Sequence, residues 1–375
     1  MLTTVTSRYF AVRLFFALLL SVVLSWSSNT AQATIPAQLT DREFWQLFLR
    51  TSEADGFFED ENYVSNELGY ERTMQRLQDT VPPDGVFLGV GPEQNFHYIA
   101  ALKPSIAFII DIRRQNAIEH LMYKALFELS DDRGAFLARL FSRQKPDGLD
   151  ASSDADALFS AFATERPQKQ LFTETLAAIE QVLLERHQFP LDERDRAAVA
   201  KVLTAFYDAG PELMYVFRGT AEKHPTYRQM MTVKDAAGRN WSYLATAEAF
   251  EFIREKQRRN LIVPVVGDFA GMRALRAVGD YLRENGGRVD VLYTSNVEPY
   301  LFVAGTWKAF YENLLALPVT ESATVIRSFF GSTVRECAAL RPTIRAPVIG
   351  SMGSLLDAYR KGAITSQCDL VTLSR

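Results

Sequence analysis

Cysteine and histidine are scarce in this sequence, with two of the former and four of the latter among 375 residues. No pair of them has the local spacing of a structural zinc site, so a metal-organised fold is not expected. Positive charge is not in surplus either: 41 Lys and Arg against 45 Asp and Glu leave a formal net charge of -4. Without a basic field to attract phosphate, nucleic acid is excluded as a general partner. Walker loops, nucleophile elbows, internal repeats and extended low-complexity tracts are missing too. The apolar run Leu14 to Trp26 is shorter than the ~20 residues that span a bilayer comfortably.

What is present begins with that run. Arg8 and Arg13 precede it, and the polar stretch behind it ends in Ala31-Gln32-Ala33. A basic n-region, a short h-region and an A-x-A site are the parts of a secretory signal peptide. The expectation is export, to the periplasm or beyond, with residues 1–33 removed and no stable membrane span left. An uncleaved anchor is the alternative, and its two arginines would still leave the rest of the chain outside. Cys337 and Cys368 then meet an oxidising compartment in which pairing is open to them. Sequence does not bring them together, so the bridge and the free pair both stand.

The remainder has ordinary globular composition, 47% hydrophobic and 23% charged, with length for a sizeable core. Residues 34–84 read as a helical extension. Thr40-Asp41-Arg42-Glu43 is a capping box opening a helix with Phe44, Leu47 and Phe48 on one face. A second helix runs from about Glu67 to Asp79, after a loop at Gly56 to Asp60. From residue 85 the rhythm changes. Val86 to Val90 and Ile106 to Ile112 read as buried strands around a helix over Gln94 to Leu102, a βαβ unit that argues for a parallel sheet. A helical tract follows over Asn116 to Phe141, then an insertion at about 144–258 with a surface loop over Lys145 to Asp156 and helices at 167–187 and 192–207. Strands at Leu261 to Val266, Arg288 to Thr294, Ala323 to Phe330 and Asp369 to Leu373 alternate with helices at Met272 to Glu284, Pro299 to Leu315 and Leu355 to Lys361. The expected fold is α/β: a Rossmann-like, doubly wound, mostly parallel sheet with a helical insertion and an N-terminal helical extension.

Chemistry concentrates where strands end. In Leu88-Gly89-Val90-Gly91-Pro92-Glu93-Gln94-Asn95, a glycine turn after a strand lets backbone N–H groups approach a ligand, and the next helix offers its positive end. Asp111 stands 22 residues after Gly89, at the end of the next strand, placed to accept hydrogen bonds from ribose hydroxyls. This order of strand, glycine turn, helix, strand and acid resembles class I S-adenosylmethionine-dependent methyltransferases. The resemblance implies that Gly89, Gly91, Gln94 and Asn95 belong to the loop cradling the cofactor's amino-acid part, and that Asp111 holds its ribose. It implies that Asp268 and Phe269, in Val266-Gly267-Asp268-Phe269, meet the adenine. Asn296, in the segment Asp290 to Val297, falls in the loop lining the methyl-transfer pocket. More closely, Gly89 to Ser142 and Val263 to Phe302 are similar to a group of bacterial methyltransferase-like proteins of unassigned activity, through Gln94-Asn95-Phe96, Asp111 to Arg114, His120 to Lys124 and Ser295 to Glu298. Glu93 stands where that loop has its third glycine, Phe87 where many methyltransferases have an acid, and Pro92 removes a backbone donor.

Other polar residues fall near the same edge. His120 and Tyr123, a helical turn apart, with Arg113, Arg114 and Asn116, form either a polar rim or a set of structural partners. Asp268, Asn296 and Glu298 are ligand contacts, an acid/base pair or helix caps. Ser65-Asn66-Glu67 reaches the edge or caps a helix. Tyr215 to Gly219 reads as core. The implied function is a methyltransferase-like protein that binds S-adenosylmethionine or a related nucleoside and acts on a small acceptor. The rivals are an exported binding protein without catalysis and a nicotinamide-dependent oxidoreductase.

Overall fold

Parallel strands must be buried on both faces, which only a sheet covered by helices supplies. β1 (Val86–Val90), β2 (Ile106–Asp111) and β3 (Ile262–Val266) are buried at every residue, and β4 (Val289–Ser295) at all but its last. In the computed structural model, which describes residues 34–59, 63–216, 224–329, 331–340 and 347–374, these join β5 (Val319–Arg327) and β6 (Val348–Ser351) in one sheet of order β3-β2-β1-β4-β5-β6. The first five run parallel, and β6 pairs antiparallel with β5. The protein is thus mixed α/β with a six-stranded, mostly parallel sheet. The expected signal segment, Asp60 and Phe217 to Gly219 lie outside the described residues.

Before the sheet, α1 (Asp41–Thr51) opens on the expected capping box, with Thr40 and Glu43 satisfying each other's backbone N–H groups. Its buried Phe44, Leu47 and Phe48 face inward as the spacing predicts, and the helix packs on β3. α2 (Glu71–Thr80) starts later than the pattern suggests and packs on α3 (Gln94–Leu102), the β1–β2 connection. Between β2 and β3 the chain runs through α4 (Arg114–Leu129), α5 (Arg133–Phe141), α6 (Ala155–Thr164), α7 (Lys169–Glu180), α8 (Glu193–Ala209), α9 (Tyr227–Thr232) and α10 (Ala247–Arg258). The break between α4 and α5 is chemical, because Asp132 accepts the Ala135 N–H at 2.8 Å and starts a new helix. α4 is the hub of this region, touching β2, β3, α5, α7, α8 and α10. Around it Phe127 and Phe136 lie 4.7 Å apart, and Phe96 and Tyr243 5.4 Å.

The carboxyl-terminal part departs from the sequence reading in three places. The helix expected over Pro299 to Leu315 is two, α12 (Val297–Ala304) and α13 (Trp307–Leu315), divided at Gly305, whose φ of 72° only glycine adopts cheaply. After α11 (Ala274–Glu284), α14 (Gly331–Glu336) and α15 (Met352–Arg360), the strand expected at Asp369 to Leu373 is a helix, α16 (Gln367–Leu373). Ser366 and Asp369 form a capping box there, and a short apolar run has no periodicity to oppose it. The sixth strand is instead β6, a four-residue, half-exposed edge segment. Cys337 and Cys368 form a disulfide that ties the chain behind α14 to α16. Among the described residues no helix is long and apolar enough to cross a membrane.

Candidate functional site

The parallel strands deliver their carboxyl ends to one edge. β1 leaves it through Gly91, which has a φ of 77° and nothing within 4 Å of where a Cβ would stand. The turn is braced from inside. Asn95 donates through Nδ2 to the carbonyls of Val90, Gly91 and Pro92 at 2.9, 3.1 and 2.7 Å, and His120 Nε2 lies 2.9 Å from the Gly91 carbonyl. Gly89 permits this packing, because a Cβ there would fall 1.9 Å from Asn95 Oδ1. Gln94 is fully buried, with Nε2 3.4 Å from Glu67 Oε2 and 3.3 Å from the Tyr98 hydroxyl. Gln94 and Asn95 are therefore framework behind the turn.

Asp111 closes β2, and its Oδ1 accepts the Arg113 N–H at 2.9 Å and Arg113 Nε at 3.3 Å. The Arg113 guanidinium lies over the Phe58 ring, 5.6 Å from its centre, and Phe58 meets Tyr300 of α12 edge-on at 5.3 Å. Phe58 belongs to a stretch held on the strand ends by backbone bonds, Glu53 N to the Val266 carbonyl and Gly56 N to that of Ile112.

Behind β3, Asp268 is half-buried and accepts the Ala270 N–H at 2.8 Å, a local turn. It does not cap α11. Glu53 does so, accepting the N–H groups of Arg273 and Ala274 at 2.7 and 2.9 Å. Phe269 turns into the core against Phe310. Behind β4, Asn296 is half-buried at the start of α12 and makes no side-chain cap there. Its neighbour Glu298 is locked away in a buried pair with Arg327, 3.0 Å apart, and accepts the Tyr311 hydroxyl at 2.7 Å. The edge thus brings together Gly91, Asp111, Asp268 and Asn296.

Ser65-Asn66-Glu67 reaches this edge. The Ser65 N–H is shared by both Glu93 oxygens at 3.2 and 3.1 Å, and Ser65 Oγ accepts the Gln94 N–H at 3.4 Å. Glu67, buried, accepts the Tyr293 hydroxyl at 2.9 Å and that of Ser295. The α2 cap residue, Tyr70, makes no side-chain cap, so capping does not explain the segment. Burial pushes the Glu67 carboxyl up and that of Glu93 to about 7, against the pull of the Ser65 amide. His120 goes the other way, to about 4, because burial penalises its cation. A carbonyl only accepts, so His120 Nε2 carries the hydrogen and Nδ1 is a bare acceptor. His120 and Tyr123 are buried, within the protein rather than on its rim.

Glu53 and Glu119 have no signal in the sequence. Glu119 is fully buried, with its carboxyl pushed well up by burial first and by Glu93 next. Among the described residues no group of His, Cys, Asp and Glu is placed to hold a metal ion. The carboxyl edge of the sheet presents a glycine turn, carboxylates and an amide. No curated protein matches the sequence. Residues 62–342 match the family described as a domain of unknown function (DUF7790), and the chain belongs to that family.

Proposed function

We propose that this is a methyltransferase-like protein on a Rossmann-like sheet that binds S-adenosylmethionine, or a related nucleoside, along the carboxyl edge of β1 to β4. The observation that carries the reading is the reversal of strand order between β1 and β4. The chain moves outward from β1 through β2 to β3, then returns to the other side of β1. Open α/β sheets bind ligands in the crevice at such a point. Asp111 ends β2, and Gly91, Asp268 and Asn296 follow the other three strands that meet there.

In this reading the open side of the Gly91 turn admits the amino-acid part of the ligand, and Asp111 accepts from the ribose hydroxyls. Asp268 and Asn296 keep polar atoms toward the rest. S-adenosylmethionine supplies a methyl group on a sulfonium sulfur. The protein's share is to hold and orient the partners, which by itself is a large part of catalysis. A second reading, a binding protein without turnover, is favoured by Glu93, which fills the place of the loop's third glycine and is engaged with Ser65. The Cys337–Cys368 bridge supports export with either reading, since such bonds persist in oxidising compartments.

The test is a melting screen with S-adenosylmethionine, S-adenosylhomocysteine, adenosine and NAD. At ~100 times its dissociation constant a ligand adds about 2.7 kcal/mol, a shift of a few degrees in a chain of this size. Stabilisation by the adenosyl compounds supports the proposal, and release of S-adenosylhomocysteine in the presence of small acceptors separates enzyme from binder. A shift with NAD alone turns the reading to an oxidoreductase. No shift with any of them removes the nucleoside site.

A further inference from the structure

Asn116, Glu119, His120 and Tyr123 stand at i, i+3, i+4 and i+7 of α4 and so share one face of it. That face is inside the protein, with none of the residues more than 2% exposed. Even so, both amide atoms of Asn116, Glu119 Oε1, His120 Nδ1 and the Tyr123 hydroxyl have no hydrogen-bond partner among the described residues, nor do Gln94 Oε1 and Asn95 Oδ1 on α3. Buried polar atoms are almost always partnered, because leaving one bare costs free energy. A run of them along a single helix face is what a ligand site leaves behind.

The surroundings agree. The His120 and Tyr123 rings flank Phe96 of α3 at 5.5 and 5.4 Å. Tyr243 meets the same Phe96 ring edge-on at 5.4 Å. The hydroxyls of Tyr227 and Tyr243 already bond each other at 2.5 Å. On α4 itself the unpartnered acceptors are a Glu119 carboxyl oxygen, the Asn116 amide oxygen and, by the tautomer fixed at Gly91, His120 Nδ1, beside the Asn116 amide nitrogen as a donor and the Tyr123 hydroxyl, which does both. Burial holds the Glu93 and Glu119 carboxyls toward their neutral forms, which a cation seated beside them would draw back toward charge, and Arg113 is paired with Asp111.

We infer that the inner face of α4, with the β1 turn and α3, forms an internal site for a small molecule carrying a primary ammonium group. Three N–H donors and a positive charge match a lining of acceptors and two carboxyl groups. A carboxylate or phosphate would be repelled, an alcohol offers one donor, and no metal-ligand geometry exists among the described residues. The site borders the β1 turn from inside, whereas the nucleoside reading uses the open side of that turn and rests on Asp111, Asp268 and Asn296.

The test titrates the full chain with butylammonium, 1-butanol and butyrate, following melting and heat of binding. Butylammonium should bind saturably and raise the melting temperature, while the alcohol and the acid of equal length should not. Glu119→Gln keeps the shape and the Gln115 contact but removes the carboxyl that could ionise against the cation, and should weaken butylammonium ten- to a hundredfold. Tyr123→Phe, which deletes one hydroxyl, should weaken it about threefold to tenfold and serves if the first variant does not fold. Asp111→Asn should leave it unchanged, whatever becomes of nucleoside binding. The inference is overturned if the wild type shows no saturable binding, if the three probes act alike, or if the folded variants at Glu119 and Tyr123 bind as the wild type does. A crystal structure grown with butylammonium that places only water on these atoms overturns it as well.

Discussion

Glu93 shows how much a single buried residue weighs in this protein. Its native carboxyl titrates at about 7 against an ordinary value of 4.5, so the folded state holds a proton that the unfolded chain releases earlier. Its contribution is complete below about pH 4.5 and is lost as pH rises through 7, a change of about 3 kcal/mol. His97 and His120, lowered to about 3 and about 4, act in the opposite sense. The unfolded chain protonates them below about 6.5 while the native state resists, so their contribution is lost as pH falls through those values. Glu93→Gln should therefore exceed the wild type in stability at pH 8 by about 1–3 kcal/mol and converge with it near pH 4.5. Urea midpoints at the two pH values check this, and parallel curves would contradict it. The two glycines of the turn differ in kind. Gly91→Ala meets no neighbour but is strained at a φ of 77°, which costs about 1–2 kcal/mol. Gly89→Ala drives into Asn95 and Phe87 and should cost more, because it also dislodges the brace on the turn.

Among the elements, α11 depends on a residue far from it in sequence. Glu53 accepts two N–H groups at its start, so Glu53→Ala should cost about 1–2 kcal/mol and speed hydrogen exchange at Arg273 and Ala274. Protection unchanged at those amides would show that the cap is idle. Such a residue is invisible in the sequence, because Glu53 sits in an acidic loop and its partners lie 220 and 221 positions away. Elements whose causes are local were legible. The strand Val86 to Val90 and the helix Gln94 to Leu102 fall where pattern puts them, as does the capping box of α1. Misreadings came where the pattern was short: a seven-residue helix took the place of the last strand, and the true edge strand has four residues.

For the whole molecule, the disulfide closes a separation of 31 residues, which chain entropy values at about 3–4 kcal/mol. Without reductant no thiol should be alkylated, and with it the melting temperature should fall by several degrees. Two reactive thiols in the untreated protein would contradict the bridge. The alternation of strands and helices was readable along the chain, but the order of the sheet and its antiparallel edge needed three dimensions. The same divide runs through the site. Gly91 and Asp111 are legible because a strand end is a local fact. Glu67 is not, since its partners Tyr293 and Ser295 lie on a distant strand, and the polar face of α4 is buried only because later helices cover it. The central claim is that the carboxyl edge of β1 to β4 holds a nucleoside, and calorimetric titration of adenosine and S-adenosylhomocysteine into wild type and Asp111→Asn tests it most directly. Asparagine keeps an oxygen for the Arg113 N–H, so the fold should survive while affinity falls about tenfold to a hundredfold with the lost charged acceptor. Equal affinity in the two proteins, or no binding by the wild type, would contradict it.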